Sequence, residues 1–228
     1  MALRDGQYRG EPPPRQPMLN LPPAVLALIG ANVVVHGAML LVPLDAVGWV
    51  LLHLAFIPVR YSVEGLGGWP AWAGPVTYQF LHGGWLHLGV NMVMLAAFGS
   101  ALERSAGASR MLVLYVASGV AGAFVHFALF PVSNIPVVGA SGSISGLFGA
   151  VLWLMARPDR FGRRALRFWP AALIWIGFSV AVGFTGMPGV ADGQIAWAAH
   201  VGGFLAGIVA MIGMLAWARA KARRRPPG

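Results

Sequence analysis

The sequence predicts an all-α polytopic membrane protein: a six-transmembrane-helix bundle whose first long loop is partly embedded. Three observations carry this. Of 228 residues, 57% are hydrophobic and only 10% are charged, whereas a soluble domain carries about 25% charge. The apolar residues gather into runs near spanning length, about 20 residues. The basic residues then sort to one side of those runs. The chain has no cysteine, which excludes disulfides and cysteine-ligated metals.

Taken in order, residues 1–22 are a polar, proline-rich lead-in (Glu11-Pro-Pro-Pro-Arg15) and read as a flexible cytoplasmic segment. The apolar run after Pro23 exceeds the roughly 7–15 residues of a cleaved signal region, so it stays as an anchor. The membrane domain covers 23–218, with spans at 23–42, 85–102, 110–130, 141–156, 168–184 and 195–217. The stretch 46–59 is too short to span and reads as re-entrant or interfacial. Loop 43–84 contains it and is rich in Gly, Pro and Trp, as suits a structured interfacial segment. Residues 219–228 are a basic cytoplasmic tail.

Six spans place 15 of the 16 basic residues on one side and leave only Arg60 on the other. The positive-inside rule therefore puts both termini in the cytoplasm. It also accounts for the net charge of +9 without a nucleic-acid partner; the tail's natural contact is anionic lipid. Spans two, four and six then begin at the external face. They carry His87 and Asn91, Ser141, and His200 in their first turns. Polar groups at membrane depth are costly and face the bundle interior. His87 and Asn91 are four apart and share a helix face. Gly142 with Gly146, and Gly203 with Gly207, are small-residue pairs that let helix backbones approach. Packing of spans four and six through them brings Ser141 towards His200.

A serine hydroxyl needs an adjacent base to act as a nucleophile. A neutral imidazole can take its proton and return it to a leaving amine. Ser141 is the candidate nucleophile and His200 the candidate base. His87, Asn91 and the Ser141 N–H are candidate donors for the oxyanion. The nearest acid to His200 is Asp192, eight residues earlier, so the pair reads as a dyad.

These residues resemble the rhomboid family of intramembrane serine proteases over about 78–210. The matching pieces are His82-Gly-Gly-Trp-Leu-His87-Leu-Gly-Val-Asn91, Glu103-Arg104, Gly139-Ala-Ser141-Gly and Ala199-His200-Val-Gly-Gly203-Phe-Leu-Ala-Gly207. The resemblance implies Ser141 as nucleophile, His200 as base, His87 and Asn91 as oxyanion residues, with His82, Gly139 and Gly142 supporting the site. It implies Glu103-Arg104 as a structural pair. It also implies cleavage of other membrane proteins in or beside their spans, without metal or cofactor. One departure concerns position 145. Many members carry an aromatic four residues after the nucleophile, where it stacks on the catalytic imidazole; this chain has Ser145, leaving Phe148 or Trp197 as candidate substitutes.

Two other readings compete: a non-catalytic rhomboid-like protein that binds membrane helices, and a channel or transporter using histidines as a proton relay or metal site. The predicted spans contain no carboxylate, which disfavours the latter. His53 and His126 read as structural. Asn32 and His36, four apart, are expected to share one interior hydrogen-bond network. Loop 43–84, or the fifth span with Gly183, Gly186 and Gly189, is the candidate gate. The expected partners are transmembrane substrates and lipids, and the expected location is a bacterial inner membrane. The sequence leaves substrate and oligomeric state open.

Overall fold

The computed structural model describes residues 20–63, 67–158, 167–185 and 196–224. Most of the lead-in, Arg160, Arg163, Arg164, Gly186, Gly189, Asp192 and the end of the tail lie outside them. The fold is the helical membrane bundle that the sequence predicts. Its elements are α1 (Pro23–Met39), α2 (Leu44–Leu54), α3 (Val59–Ser62), α4 (Trp69–Thr77), α5 (Trp85–Met94), α6 (Ser100–Ala106), α7 (Ala108–Leu129), α8 (Ser141–Ala156), α9 (Phe168–Thr185) and α10 (Trp197–Arg223). A π-helical turn, Leu95–Gly99, joins α5 to α6 as one helix, Trp85–Ala106. Among the described residues, four helices are long and apolar enough to cross a membrane: Trp85–Ala106, α7, α9 and α10. The other two predicted spans form shorter helices, α1 with 17 residues and α8 with 16.

The centre is built from α7, α8 and α10, and glycine sets their spacing. A Cβ built on Gly203 would stand 2.0 Å from the carbonyl oxygen of Gly142, and one on Gly207 would stand 2.0 Å from that of Gly146. No side chain fits there, so α8 and α10 pack backbone to backbone. Gly122 of α7 meets the Ala199 carbonyl oxygen in the same way, its Cβ position 2.4 Å away. Ten of the sixteen residues of α8 are buried as a result.

A polar tie holds α1. It begins Pro22-Pro23, and the N–H groups of its first turn have no helical acceptor. The Glu103 carboxylate accepts the Ala24 N–H at 3.2 Å and the Val25 N–H at 2.9 Å. The adjacent Arg104 guanidinium donates to the Asn20 carbonyl. A carboxylate at a helix N-terminus also meets the positive end of the helix dipole. Val25 packs on Gly99 in the π turn. The pair Glu103-Arg104 thus fastens the start of α1 to the end of α6.

Asn32 and His36 do not share a network. The Asn32 amide donates one turn back, to the Leu28 carbonyl at 2.8 Å. The His36 ring sits edge-on to Trp85, centroids 4.8 Å apart, with its Nε2 buried and unpaired. The Asn32 amide N–H is paired locally because a helical carbonyl four residues back is within its reach, while its buried Oδ1 has no hydrogen-bond partner among the described residues.

The described part of the loop between α1 and α5 holds α2, α3, α4 and a 3-10 turn, Tyr78–Phe80, and is bonded down. Thr77 donates to the Leu54 carbonyl at 2.6 Å, and Tyr61 to the Ala71 carbonyl at 2.6 Å. Phe56 and Val137 exchange backbone bonds of 3.2 and 2.8 Å, and the Val59 N–H donates to the Ser133 carbonyl at 2.9 Å. The first loop is therefore joined to the segment that leads into α8.

Candidate active site

Three helix starts meet at one end of the bundle. Ser141 is the first residue of α8, His200 the fourth of α10, and His87 the third of α5. Ser141 Oγ lies 2.7 Å from His200 Nε2. With the imidazole neutral and protonated at Nδ1, the serine hydroxyl donates to Nε2. Gly139 turns the chain into α8 with φ 122°, a left-handed conformation that favours glycine. Space demands glycine there as well. A Cβ at 139 would stand 2.8 Å from Cε1 and 2.9 Å from Nε2 of His87, and 3.6 Å from Ser141 Oγ. The Nε2 edge of His87 and the Ser141 hydroxyl thus border one small space, kept open by Gly139.

The other predicted residues surround this pair at graded distance. Asn91 is buried one turn along α5, and its amide donates to the His87 carbonyl at 2.8 Å. His82 stands behind His87, ring centroids 5.1 Å apart, and 6.5 Å from His36. Both His82 ring nitrogens are buried and unpaired. Burial, and then the neighbouring His87, push the His82 imidazole down to about 3, so its neutral form dominates. Gly142, Gly146, Gly203 and Gly207 lie in the α8–α10 contact described above.

Neither substitute aromatic reaches His200. Phe148 packs on Phe98, Trp175 and Phe204, and Trp197 on Phe130 and Phe184. Phe148 is seven residues past Ser141, so helical geometry carries it two turns deeper than His200. Ser145 is buried with its hydroxyl unpaired. Among the described residues no aromatic ring stacks on His200 and no carboxylate bonds to it. Helix packing, through Gly122 against Ala199 and Gly142 against Gly203, holds the start of α10. Among the described residues, no cluster of three His, Asp or Glu side chains is arranged to bind a metal ion.

Sequence reasoning missed Tyr78 and Gln79. Both are buried in a 3-10 turn, Tyr78–Phe80, just before His82. Tyr78 donates to the Gly119 carbonyl of α7 at 2.7 Å, and Gln79 Oε1 accepts from Ser143 at 2.8 Å. The available signal was a polar glutamine set among aromatics at a loop–helix junction; only the fold shows what it meets.

A helical membrane bundle with a serine and a histidine paired at one end matches the rhomboid domain over residues 70–217. The chain belongs to the rhomboid family. It is 38% identical over 129 residues to RHOMBOID-like protein 5 of Arabidopsis thaliana, covering 56% of this chain and 39% of the relative. It is 31% identical over 157 residues to Rhomboid protease GluP of Bacillus subtilis (strain 168), covering 69% of this chain and 28% of that protein. Inactive RHOMBOID-like protein 8 of Arabidopsis thaliana is 35% identical over 82 residues, 36% of this chain and 23% of the relative. The chain spans less than half the length of each of these three relatives.

Proposed function

We propose that this integral membrane protein is a serine endopeptidase that cleaves transmembrane segments of other membrane proteins near the external face. The observation that carries the reading is the 2.7 Å pairing of Ser141 Oγ with His200 Nε2. In this reading His200 Nε2 takes the hydroxyl proton as Oγ attacks the scissile carbonyl carbon. The oxyanion forms beside the Ser141 N–H at the positive end of α8 and beside His87, with Asn91 steadying that helix turn. The imidazolium protonates the leaving amine, and the acyl–Ser141 ester remains. His200 then draws a proton from water, hydroxide attacks the ester, and Ser141 is regenerated. Every proton moved belongs to Ser141, His200, water or substrate, so the cycle balances without a cofactor.

The orientation rests on charge. Arg104, Arg110, Arg157, Arg167, Arg219, Lys221, Arg223 and Arg224 all lie at the bundle end opposite Ser141, which favours cytoplasmic termini and an external site. A bacterial inner membrane is the setting that fits this arrangement. Of the two candidate gates, α9 is favoured, because the first loop is bonded to the α7–α8 connection while α9 buries only Ala172 and Ser179. The competing reading, a rhomboid-like binder of membrane helices, draws on a relative named inactive; this chain keeps both Ser141 and His200.

The test is reconstitution in vesicles with a single-span reporter, alongside fluorophosphonate labelling. Wild type should cleave and be labelled at Ser141. Ser141→Ala should lose both, and His200→Ala should fall by several orders of magnitude. A wild type that neither cleaves nor labels across lipids and reporters sinks the protease reading and leaves the binder.

A further inference from the structure

The start of α8 lacks the usual local support. Its N-cap residue is Ala140, which has no side-chain oxygen to accept the first-turn N–H groups. Yet any rotation or slide of this turn would carry Ser141 Oγ away from His200 Nε2. The turn is held from outside, by the loop. The Tyr78 carbonyl accepts the Gly139 N–H at 3.0 Å, immediately before the helix. Gln79 then grips the helix itself: its Oε1 accepts the Ser143 hydroxyl at 2.8 Å while its Nε2 donates to the Pro75 carbonyl at 2.9 Å. Both side chains are fully buried.

Two residues along a helix are about 200° of rotation. Ser143 therefore faces away from Ser141, and the bond grips the back of the turn whose front carries the hydroxyl. The third wall is α7. A Cβ on Gly119 would stand 2.3 Å from Ser143 Oγ and 2.4 Å from Gln79 Cδ, so only glycine leaves room for the bond. A neutral amide suits the place, because its oxygen accepts from Ser143 while its NH2 group donates to the Pro75 carbonyl and, at 3.5 Å, to the Val116 carbonyl of α7. A methionine of similar length would fill the space and leave Ser143 unpaired.

We propose that Gln79 is a positioning residue for Ser141, fixing the rotation of the first turn of α8 through Ser143. This rests on the protease reading. Rate depends steeply on alignment, and a displacement of about 1 Å can cost on the order of a hundredfold. A lost neutral hydrogen bond in a packed turn shifts the nucleophile by less, so about tenfold is expected.

The test uses the full chain in vesicles. Gln79→Met, Ser143→Ala and the double variant are compared with Met111→Ala, a fully buried α7 residue at the opposite end of the bundle. Melting temperature, reporter kcat and KM, and the fluorophosphonate inactivation rate of Ser141 are measured. Gln79→Met and Ser143→Ala should each lower kcat and the inactivation rate about tenfold, with KM changed less than about twofold. The double variant should be no slower than the slower single variant, because one bond is removed in all three. Met111→Ala should lose comparable thermal stability yet keep kcat within about twofold. Unchanged rates in Ser143→Ala, additive losses in the double, or an equal kcat loss in Met111→Ala would each overturn the proposal. Should Gln79→Met fail to fold, Ser143→Ala against Met111→Ala decides alone. A wild type that is not labelled refutes the protease reading itself; a labelled wild type with unaffected variants refutes only the role of Gln79.

Discussion

Helices α8 and α9 have nearly the same length and are both almost wholly apolar, yet the fold treats them in opposite ways. Ten of sixteen residues are buried in α8, and two of eighteen in α9. Hydrophobicity does not separate them, because lipid is as good a solvent for Leu and Phe as a neighbouring helix is. Small residues do. On α8, Gly142, Gly146 and Gly149 lie against the backbone of α10, and on α7 Gly119 and Gly122 lie against α8 and α10. On α9, Leu173, Ile174 and Phe178 face outwards, and a Cβ added at Gly177 would meet nothing within 4 Å. Glycines seated against backbone mark the α7–α8–α10 centre as fixed, whereas the close glycine contact of α9, at Gly183, is with the Trp197 side chain. The Ser141–His200 pair belongs to the fixed half.

The sharpest break of this contrast is one substitution made in each half. Gly207→Val places a side chain 2.0 Å from the Gly146 carbonyl oxygen, and α8 and α10 must separate to admit it. Overpacking commonly costs about 1–3 kcal/mol, and contact with backbone on a rigid helix takes it to the top of that range or beyond. Gly207→Val should lose most folded protein and nearly all activity. Gly177→Val should stay within about 0.5 kcal/mol of wild type, as surface substitutions do. Thermal melting in detergent measures both. Equal losses would show that α9 packs as tightly as α8.

If α9 is the part that moves, tethering it should stop entry without touching the chemistry. Phe98, in the π turn, and Trp175 of α9 are in edge contact, ring centroids 6.4 Å apart. The chain has no native cysteine, so Phe98→Cys with Trp175→Cys can be joined by a short bis-maleimide. Reporter cleavage should fall about tenfold or more on joining, while labelling of Ser141 by a small fluorophosphonate should hold within about twofold. Cleavage that survives joining would return the gate to the first loop.

The fixed half was legible in the sequence, and the free half was legible only as hydropathy. Ser141, His200 and His87 could be placed at one level because spans and charge sorting need only local composition. The glycine pairs pointed to the contact that joins two of them. The clamp on α8 was not legible. Gln79 and Ser143 are 64 residues apart, and no periodicity links a loop residue to the back of a helix turn. The expected aromatic support for His200 failed for a related reason. Phe148 shares a helix with Ser141, but its register sends it to Phe98 and Trp175.

Helix α1 is an intermediate case, held by charge where α8 is held by glycine. Glu103→Gln keeps the size of the side chain but removes the negative charge that meets the Ala24 and Val25 N–H groups. Loss of a capping interaction typically costs about 1 kcal/mol. The melting temperature should fall by a few degrees, with kcat within about twofold, since Glu103 lies at the end of the bundle away from Ser141. A loss as large as that of Gly207→Val would place α1 in the fixed core.

The smallest effect is a pH dependence, and it asks whether His82, behind the site, belongs with the fixed half. In the folded chain burial, then His87, hold His82 at about 3, against 6.5 for a free imidazole side chain. The unfolded chain therefore binds a proton that the folded chain refuses as pH falls below about 6.5. Stability from this group is complete above that value and is lost progressively on the way down towards 3. His82→Gln removes the titration. The melting temperature of His82→Gln minus that of wild type should be constant above pH 7 and should rise by a few degrees between pH 6.5 and 4.5. A flat difference across that window would mean that water reaches His82 freely, and that the dry, immobile part of the bundle stops at His87.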